Sequence, residues 1–544
     1  MSTTARKGRF EGYFVLAVVL LGVGIRAYQL AGEIIADDEW HALYRLLIVD
    51  YSHIVTHFGY ADYSIPLTMF YKALSDTVGL NEVGMRLPAF LTGISMPLVV
   101  PRLWRRYIGR NAYLFFVVLL SVSPLLVYFS RTARPYALTV LLASVALAAC
   151  FRWWHEPGPR WAAVYLSSTV TGAYLHVASL LFTFMPVAFF GLLALRSAVG
   201  GDARPVRRLT ALGLWALFLL TIVIGPPLYV DHANFLAKSG MQSLRWHALI
   251  GAVRLWAGSG NHFLIAVLFV LGAVGVGCLW HRQRLWLQYC LFCAAGLLAI
   301  VALSRGVGLD EAIVLARYGL PVVPVFLMLV ACGLGHGVSR WASSSGRYVA
   351  AGMLVPVLLL AGPLRAQAYY PNQFTGHMLF QSDYRLEANP YRFLQPERIP
   401  EFYWMLGEQP PASLTIIEAP WDLAWHHIRL NFYQKVHRQR VRIGFLGALC
   451  GSDWHGFTGE YPLEATGMKF RNFVHLERVL QAGAREGDYV VFHSRSPSSG
   501  QQADTITRCI DVFAEQVGES FYEDDEIVVF AVAGSTRAGG TETR

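Results

Sequence analysis

Three carboxylates in a row, Asp37, Asp38 and Glu39 in the stretch AGEIIADDEWHALY, follow directly on an apolar run, YFVLAVVLLGVGIRAYQL. Side by side they repel one another, which raises the pKa of at least one and suits it to take a proton. The plain reading is a solvated helix start, since carboxylates are favoured near helix amino termini. Against it stands their place at a bilayer surface, where ionisable side chains are functional candidates by default. Helical spacing puts Asp37 and Asp38 on one face with His41. A metal site of Asp37, Glu39 and His41 would have few ligands at good spacing. No metal or other cofactor is therefore expected to be required, and dependence on a divalent ion stays open.

The second candidate is YFSRTARPYALTV, residues 128–140. Arg131 and Arg134 stand just ahead of Pro135, a residue suited to the first turn of a helix. Cations there join a helix amino terminus in forming a site for an anion. Arg26, Arg86 in GMRLPAF, Lys238, Arg305 and Arg317 in LARYGLPVVP repeat the pattern. Several arginines at one membrane face, opposite carboxylates, suggest a phosphate held at the lipid headgroup level. Binding of anionic lipid headgroups would use the same arginines without a catalytic carboxylate.

These residues must be positioned by a membrane scaffold. Of the 544 residues, 55% are hydrophobic and 15% charged; the mean hydropathy is +0.41. A spanning helix needs about 20 apolar residues. Eleven segments meet or approach that: 13–30, 87–104, 112–129, 135–153, 160–175, 178–196, 209–229, 261–280, 285–303, 318–338 and 348–362. The first has a basic flank but no clear cleavage site, and reads as a retained anchor. Arg105, Arg106, Arg110, Arg152, Arg160, Arg204, Arg207, Arg208, Arg282, Arg284, Arg340 and Arg347 fall in alternate connections. The positive-inside rule then makes the amino terminus cytoplasmic, and the 31–86 loop and the tail extracytoplasmic. The net charge of +9 is mostly this topology signal. No basic face or motif for nucleic acid accompanies it.

The division expected is a transmembrane catalytic domain over 1–362, an extracytoplasmic domain over 363–534 and a disordered end over 535–544. Loop 31–86 carries apolar residues at helical spacing and should form interfacial amphipathic helices. In the tail, SLTIIEAP, RVRIGFL, DYVVFHS and DEIVVFAVA read as buried strands. DLAWHHIRLNFYQKV, FVHLERVLQAGA and ADTITRCIDVFAEQV read as helices between them, giving a small α/β layer domain. Cys150, Cys278, Cys290, Cys293 and Cys332 lie in apolar runs and pack as small hydrophobes. Cys450 and Cys509 stand in the tail, on the oxidising side, and are expected to form a disulfide.

The run GIRAYQLAGEIIADDEWHALY resembles the first-loop acidic motif of the GT-C glycosyltransferases. It resembles in particular the branch with protein O-mannosyltransferases, the aminoarabinose transferase of lipid A and rhizobial galacturonosyltransferases. ADYSIPLTMFYKAL with GMRLPAFLTG, YFSRTARPYAL, TGAYLHVASLL and LARYGLPVVP resemble later motifs of that family, in matching order over about residues 10–340. Ser64-Ile65 depart from the histidine often found before the first of these prolines. The resemblance implies a GT-C fold of about eleven transmembrane helices. It also implies transfer of a sugar from a polyprenyl phosphate to an envelope acceptor: lipid, glycan or protein. Asp38 would be the catalytic base, with Glu39 beside it positioning acceptor or donor. Arg131, Arg134, Tyr136, Arg317 and Arg86 would meet the donor phosphate. Arg26, Asp37, His41, Asp62, His176, Lys238 and Tyr318 are further candidates. The cell membrane, in bacteria the inner membrane, would hold the enzyme.

The roles agree with the chemistry. Charge grows on the leaving phosphate, so cations must meet it, and the acceptor hydroxyl needs a base within reach. One base and one stabilised leaving group give inversion, unlike the paired carboxylates of retaining hydrolases. No phosphate-binding loop for nucleotides is present. The alternatives are a transporter or flippase for a lipid-linked phosphate sugar, an oligosaccharide ligase or polymerase, and a scaffold whose tail binds a partner. A transporter should show internal repeats, and none is clear.

Overall fold

A computed structural model of the chain describes residues 3–28, 30–35, 39, 46, 49–58, 64–237, 243–306, 308–341 and 346–361. In the tail it describes 399–419, 430–446, 449–450, 472–493 and 500–532. The protein is a polytopic helical membrane protein with a small carboxy-terminal sheet. Among the described residues eight helices are long and apolar enough to cross a membrane, from Arg9–Ala27 to Leu320–Ser339. The helix Pro159–Leu175 and the helix Gly346–Ala361 are shorter.

The stretch Glu82–Val122 holds two passes rather than one. Gly109 has φ 80° and ψ 168°, outside helical space and in a region that suits glycine. Glu11, in the first helix, reaches both sides of that break, with Arg105 at 2.9 Å and Arg110 at 2.6 Å. At the other end of the first helix, Arg26 touches Gly93 and Ser121. Residues 93–105 therefore run against the first helix and 110–121 run along it. Gly109 marks the reversal at one membrane face. The second pass stops at Ser123-Pro124 and continues as the short helix Pro124–Phe129, where one unbroken segment was expected.

Loop 31–86 contributes the helices Tyr51–Thr56 and Ile65–Asp76. Asp50 caps the first of them by accepting from the His53 amide at 2.7 Å.

The tail forms a six-stranded sheet: β1 Thr415–Ala419, β2 Arg440–Phe445, β3 Phe473–His475, β4 Tyr489–His493, β5 Tyr522–Glu523 and β6 Ile527–Ala531. Its order is β3-β2-β1-β4-β6-β5. Strands β1 to β4 are parallel; β6 runs against β4, and β5 against β6. The stretch FVHLERVLQAGA, expected as one helix, opens as β3, with the helix beginning at Leu476. Phe473 and Val474 are β formers that find a partner in β2. The helix Gly500–Val517 carries Cys509, which is joined to Cys450 as a disulfide with Cα atoms 5.0 Å apart.

Buried polar groups fasten the sheet. Glu418, 1% exposed, accepts from the Tyr403 hydroxyl at 3.0 Å and pairs with His493 Nε2 at 2.8 Å. His437 is fully buried, and its Nδ1 accepts from the Gln439 amide at 3.0 Å. Burial pushes its pKa from 6.5 down to about 3.

The unfolded chain thus binds a proton at His437 that the folded chain refuses. Stability should fall as pH drops from 6.5 toward 3, by about 1.4 kcal/mol per pH unit from this group. Unfolding of the tail in the full-length protein, followed by fluorescence across that range, should have a shallower pH slope in His437→Gln. Identical slopes would contradict the assignment.

Candidate active site

The motif RTARP occupies residues 131–135, between the helix Pro124–Phe129 and the helix Tyr136–His155, and all five residues are buried. A buried turn must place its backbone polar groups elsewhere. The Ala133 amide donates to Glu39 Oε1 at 2.6 Å, and the Ala133 carbonyl accepts from the Tyr71 hydroxyl at 3.0 Å. The turn also lies close to the helix beneath it. A Cβ at Gly93 would come within 2.2 Å of Ser130 Cβ and 3.2 Å of Arg26 Nε.

Glu39 is 1% exposed and Arg86 fully buried. Arg86 Nε and Nη2 grip the two Glu39 oxygens at 3.0 and 2.9 Å. The remaining donors meet the carbonyls of Leu30 at 3.0 Å, Glu33 at 2.9 Å and Ile34 at 2.8 Å. All five N–H groups of Arg86 are therefore spent on the protein. Arg86, expected at the donor phosphate, here bonds only Glu39 and the backbone of the first loop among the described residues. Glu39, expected to touch acceptor or donor, holds the first loop to the turn.

Arg131 and Arg26, also expected near the phosphate, bond backbone carbonyls as well, though the Nε of each has no partner among the described residues. Arg131 Nη1 donates to the carbonyls of Ile25 at 3.2 Å and Arg26 at 2.6 Å, and Nη2 meets Glu33 at 3.3 Å. Arg26 donates to Gly22, Ser121 and Leu120 carbonyls at 3.1, 2.7 and 3.2 Å. The carbonyls of Ile25, Arg26, Leu120 and Ser121 stand at helix carboxyl ends, where they have no partner within the helix. Burial pushes the Glu33 carboxyl up, with Arg131 and Arg86 opposing. It also lowers the Arg131 pKa.

The other candidates converge on one ring. The Arg134 and Arg317 guanidinium carbons each lie 5.6 Å from the Tyr136 centroid. Arg134 Nη2 donates to the Tyr136 hydroxyl at 3.3 Å. The His176 ring is 5.7 Å from Tyr136 and 5.7 Å from Tyr318, and Arg317 lies 5.5 Å from Tyr318. Arg134 and Tyr136 are 2% and 3% exposed, and Arg317 and Tyr318 are partly open. Three separate segments, all noted in the sequence, thus build one cationic aromatic cluster. Asp37, Asp38, His41, Asp62 and Lys238 lie outside the described residues. Among the described residues no group of three His, Cys, Asp or Glu could hold a metal ion.

Some residues were missed. Tyr71 and Glu33 lie inside the quoted stretches but carry no local signal of their partners. Gln434, from the tail, donates to the Gly32 carbonyl at 2.9 Å and accepts from the Ile34 amide at 3.2 Å. Asn472 bonds Glu82 beside it. Ile443, Phe445 and Phe473 of the sheet pack in one cluster with Ile35, Leu67, Tyr71 and Ala133. The tail and the first loop therefore share a membrane face, and the sheet sits on the scaffold of the site.

Fold and site together define a polytopic membrane protein with a carboxylate-anchored turn beside an arginine–tyrosine cluster. Two similar solved structures are those of ArnT from Cupriavidus metallidurans. The apo form is 14% identical, covering 96% of this chain and 98% of that one, with a TM-score of 0.46. The form bound to undecaprenyl phosphate is 14% identical, covering 95% and 97%, with a TM-score of 0.46. Arabinosyltransferase EmbB from Mycobacterium smegmatis is 14% identical, covering 66% of this chain and 42% of that one, with a TM-score of 0.35. No protein-family model and no curated protein matches the chain.

Arg86→Met strands the Glu39 carboxylate in a buried site and should cost about 3–5 kcal/mol, seen as a lower melting temperature of the full-length protein in detergent. Arg86→Met with Glu39→Met should recover part of that loss, because the unpaired charge is gone. Losses that simply add would contradict the pairing.

Proposed function

We propose that the protein is a membrane glycosyltransferase of the GT-C type. It moves a sugar from a polyprenyl-phosphate carrier to an acceptor hydroxyl of the cell envelope, at the face that carries the first loop and the tail. The observation that carries this reading is the convergence of Arg134 and Arg317 on Tyr136, three residues from Ala133 and its bond to Glu39. Asp38 precedes Glu39 and Arg134 follows Ala133. A proton acceptor and a cationic cluster are therefore tethered to the same hydrogen bond.

In this reading Asp38 takes the proton of the acceptor hydroxyl as its oxygen attacks the anomeric carbon. The bond from that carbon to the phosphate oxygen breaks, and the configuration inverts. The donor phosphate is a diester and leaves as a lipid monoester with one more negative charge. Arg134 and Arg317 meet that charge as it grows, in a place largely closed to water, where fixed cations act most strongly. The Tyr136 face orients both guanidinium groups by cation–π attraction, and His176 and Tyr318 close the cluster around it. Orientation follows the arginine distribution, with the amino terminus cytoplasmic.

The test is reconstitution with a labelled polyprenyl-phosphate sugar and envelope acceptors. Asp38→Asn should slow transfer by roughly 10²–10⁴-fold while leaving donor binding intact. Arg134→Ala and Arg317→Ala should each weaken donor binding. Transfer at full rate in Asp38→Asn, or undiminished donor binding in both arginine variants, would sink the proposal.

A further inference from the structure

At the membrane face opposite the RTARP turn, the reversal at Gly109 opens a cavity of about 190 Å³. Its wall includes Gly109, Arg110, Asn111, Arg282, His336 and Ser339, from the reversal and from the adjoining ends of the helices His262–Arg282 and Val323–Trp341. Two arginines and a histidine thus face one small space, and none of the described lining residues is acidic. Glu11 holds Arg110 through Nε, and Tyr348 accepts from Arg110 Nη2 at 3.4 Å. Glu11 and Tyr348 stand outside the cavity wall, and Arg110 keeps further N–H groups beside those two bonds. Arg282 is the last residue of its helix.

The level of the cavity relative to the bilayer is marked by its neighbours. Trp280, two residues before Arg282, is 43% exposed, and the Arg284 guanidinium lies 4.3 Å from its ring. Exposed tryptophan beside arginine is the pattern of the headgroup layer. Further along the same helix Phe263, Phe269 and Val270 are 78%, 50% and 63% exposed, an apolar face for acyl chains. A basic pocket between membrane helices, opening at headgroup level beside an apolar helix face, fits an anionic lipid. The guanidinium fork matches phosphate oxygens; Asn111, whose Oδ1 accepts from Arg347 at 2.7 Å, has its amide N–H groups to add, while the Ser339 hydroxyl donates to the His336 carbonyl.

We propose that this cavity binds the phosphate of an anionic lipid headgroup, with Arg282 and Arg110 as its cationic ligands and His336 and Ser339 beside them. The site is separate from the Tyr136 cluster, so the inference does not depend on the proposed transferase activity. Bound lipid would tie the Gly109 reversal to the two neighbouring helix ends.

The experiment is native mass spectrometry of the full-length protein with phosphatidylglycerol, phosphatidylcholine and inorganic phosphate. Wild type should retain phosphatidylglycerol in preference to phosphatidylcholine. Arg282→Gln should weaken that retention roughly fivefold, as expected for one cation near an anionic headgroup. Arg284→Gln, at the same level but on Trp280 outside the cavity, should leave it unchanged. Equal losses in both variants would assign the effect to general surface charge and overturn the site. Absence of a phosphatidylglycerol preference would also overturn it. Millimolar inorganic phosphate should not displace the lipid; displacement would make the cavity a free-phosphate site and reject the lipid assignment.

Discussion

A carboxylate and a guanidinium taken out of water together, Glu39 and Arg86, decide the geometry of the candidate site. Removing either charge from water alone is expensive, and their attraction offsets it only when the remaining hydrogen-bonding groups are also met. Here they are met: Arg86 uses its other donors on the carbonyls of Leu30, Glu33 and Ile34, and Glu39 accepts the Ala133 amide. The pair therefore has one arrangement of low energy, with the first loop, the start of the stretch Glu82–Val122 and the RTARP turn in fixed register. Its contribution is positional. An apolar pair would bury as well but would not select which carbonyls and which amide come together.

The two remaining pinned arginines form a reciprocal device. Arg131, in the turn, caps the carboxyl end of the helix that carries Arg26. Arg26 in turn caps the carboxyl end of the pass that leads to the turn. In a bilayer, unpaired carbonyls find no water, so each must be satisfied by the protein. Two guanidinium groups do this for two helices at once and lock them end to end. Arg134 lies beside an aromatic ring: Tyr136 offers it a π-face and a hydroxyl. Some basic residues of this face thus fasten helix ends, while Arg134 and Arg317 lie against the Tyr136 ring.

Hydropathy made the helical segments legible, including the two passes flanking Gly109, because apolar length is a local property. The strands of the tail were legible for the same reason, as short β-branched and aromatic runs between turns. FVHLERVL was misread because three residues of strand abut a helix and share its apolar spacing. The arginines were legible as a group but not as individuals. What Arg26, Arg86 and Arg131 do is set by which carbonyls lie within reach, and for Arg26 those include Leu120 and Ser121. Such partners depend on tertiary packing, which no local spacing encodes. Gln434 was invisible on the same ground, since its partners in the first loop lie some 400 residues earlier.

That last contact changes what the tail is for. One carboxamide bonds both an amide and a carbonyl of the segment 32–34, as a strand neighbour would. The carbonyls of the same segment hold Arg86, Arg86 holds Glu39, and Glu39 holds the turn that precedes Arg134. The apolar contact of Ile443, Phe445 and Phe473 with Tyr71 and Ala133 presses on the same turn from the sheet side. Cooperative hydrogen-bond chains of this kind stiffen as a unit. The tail is thus part of the shell around the candidate site, through Gln434 of the helix Leu430–His437 and through the three sheet residues.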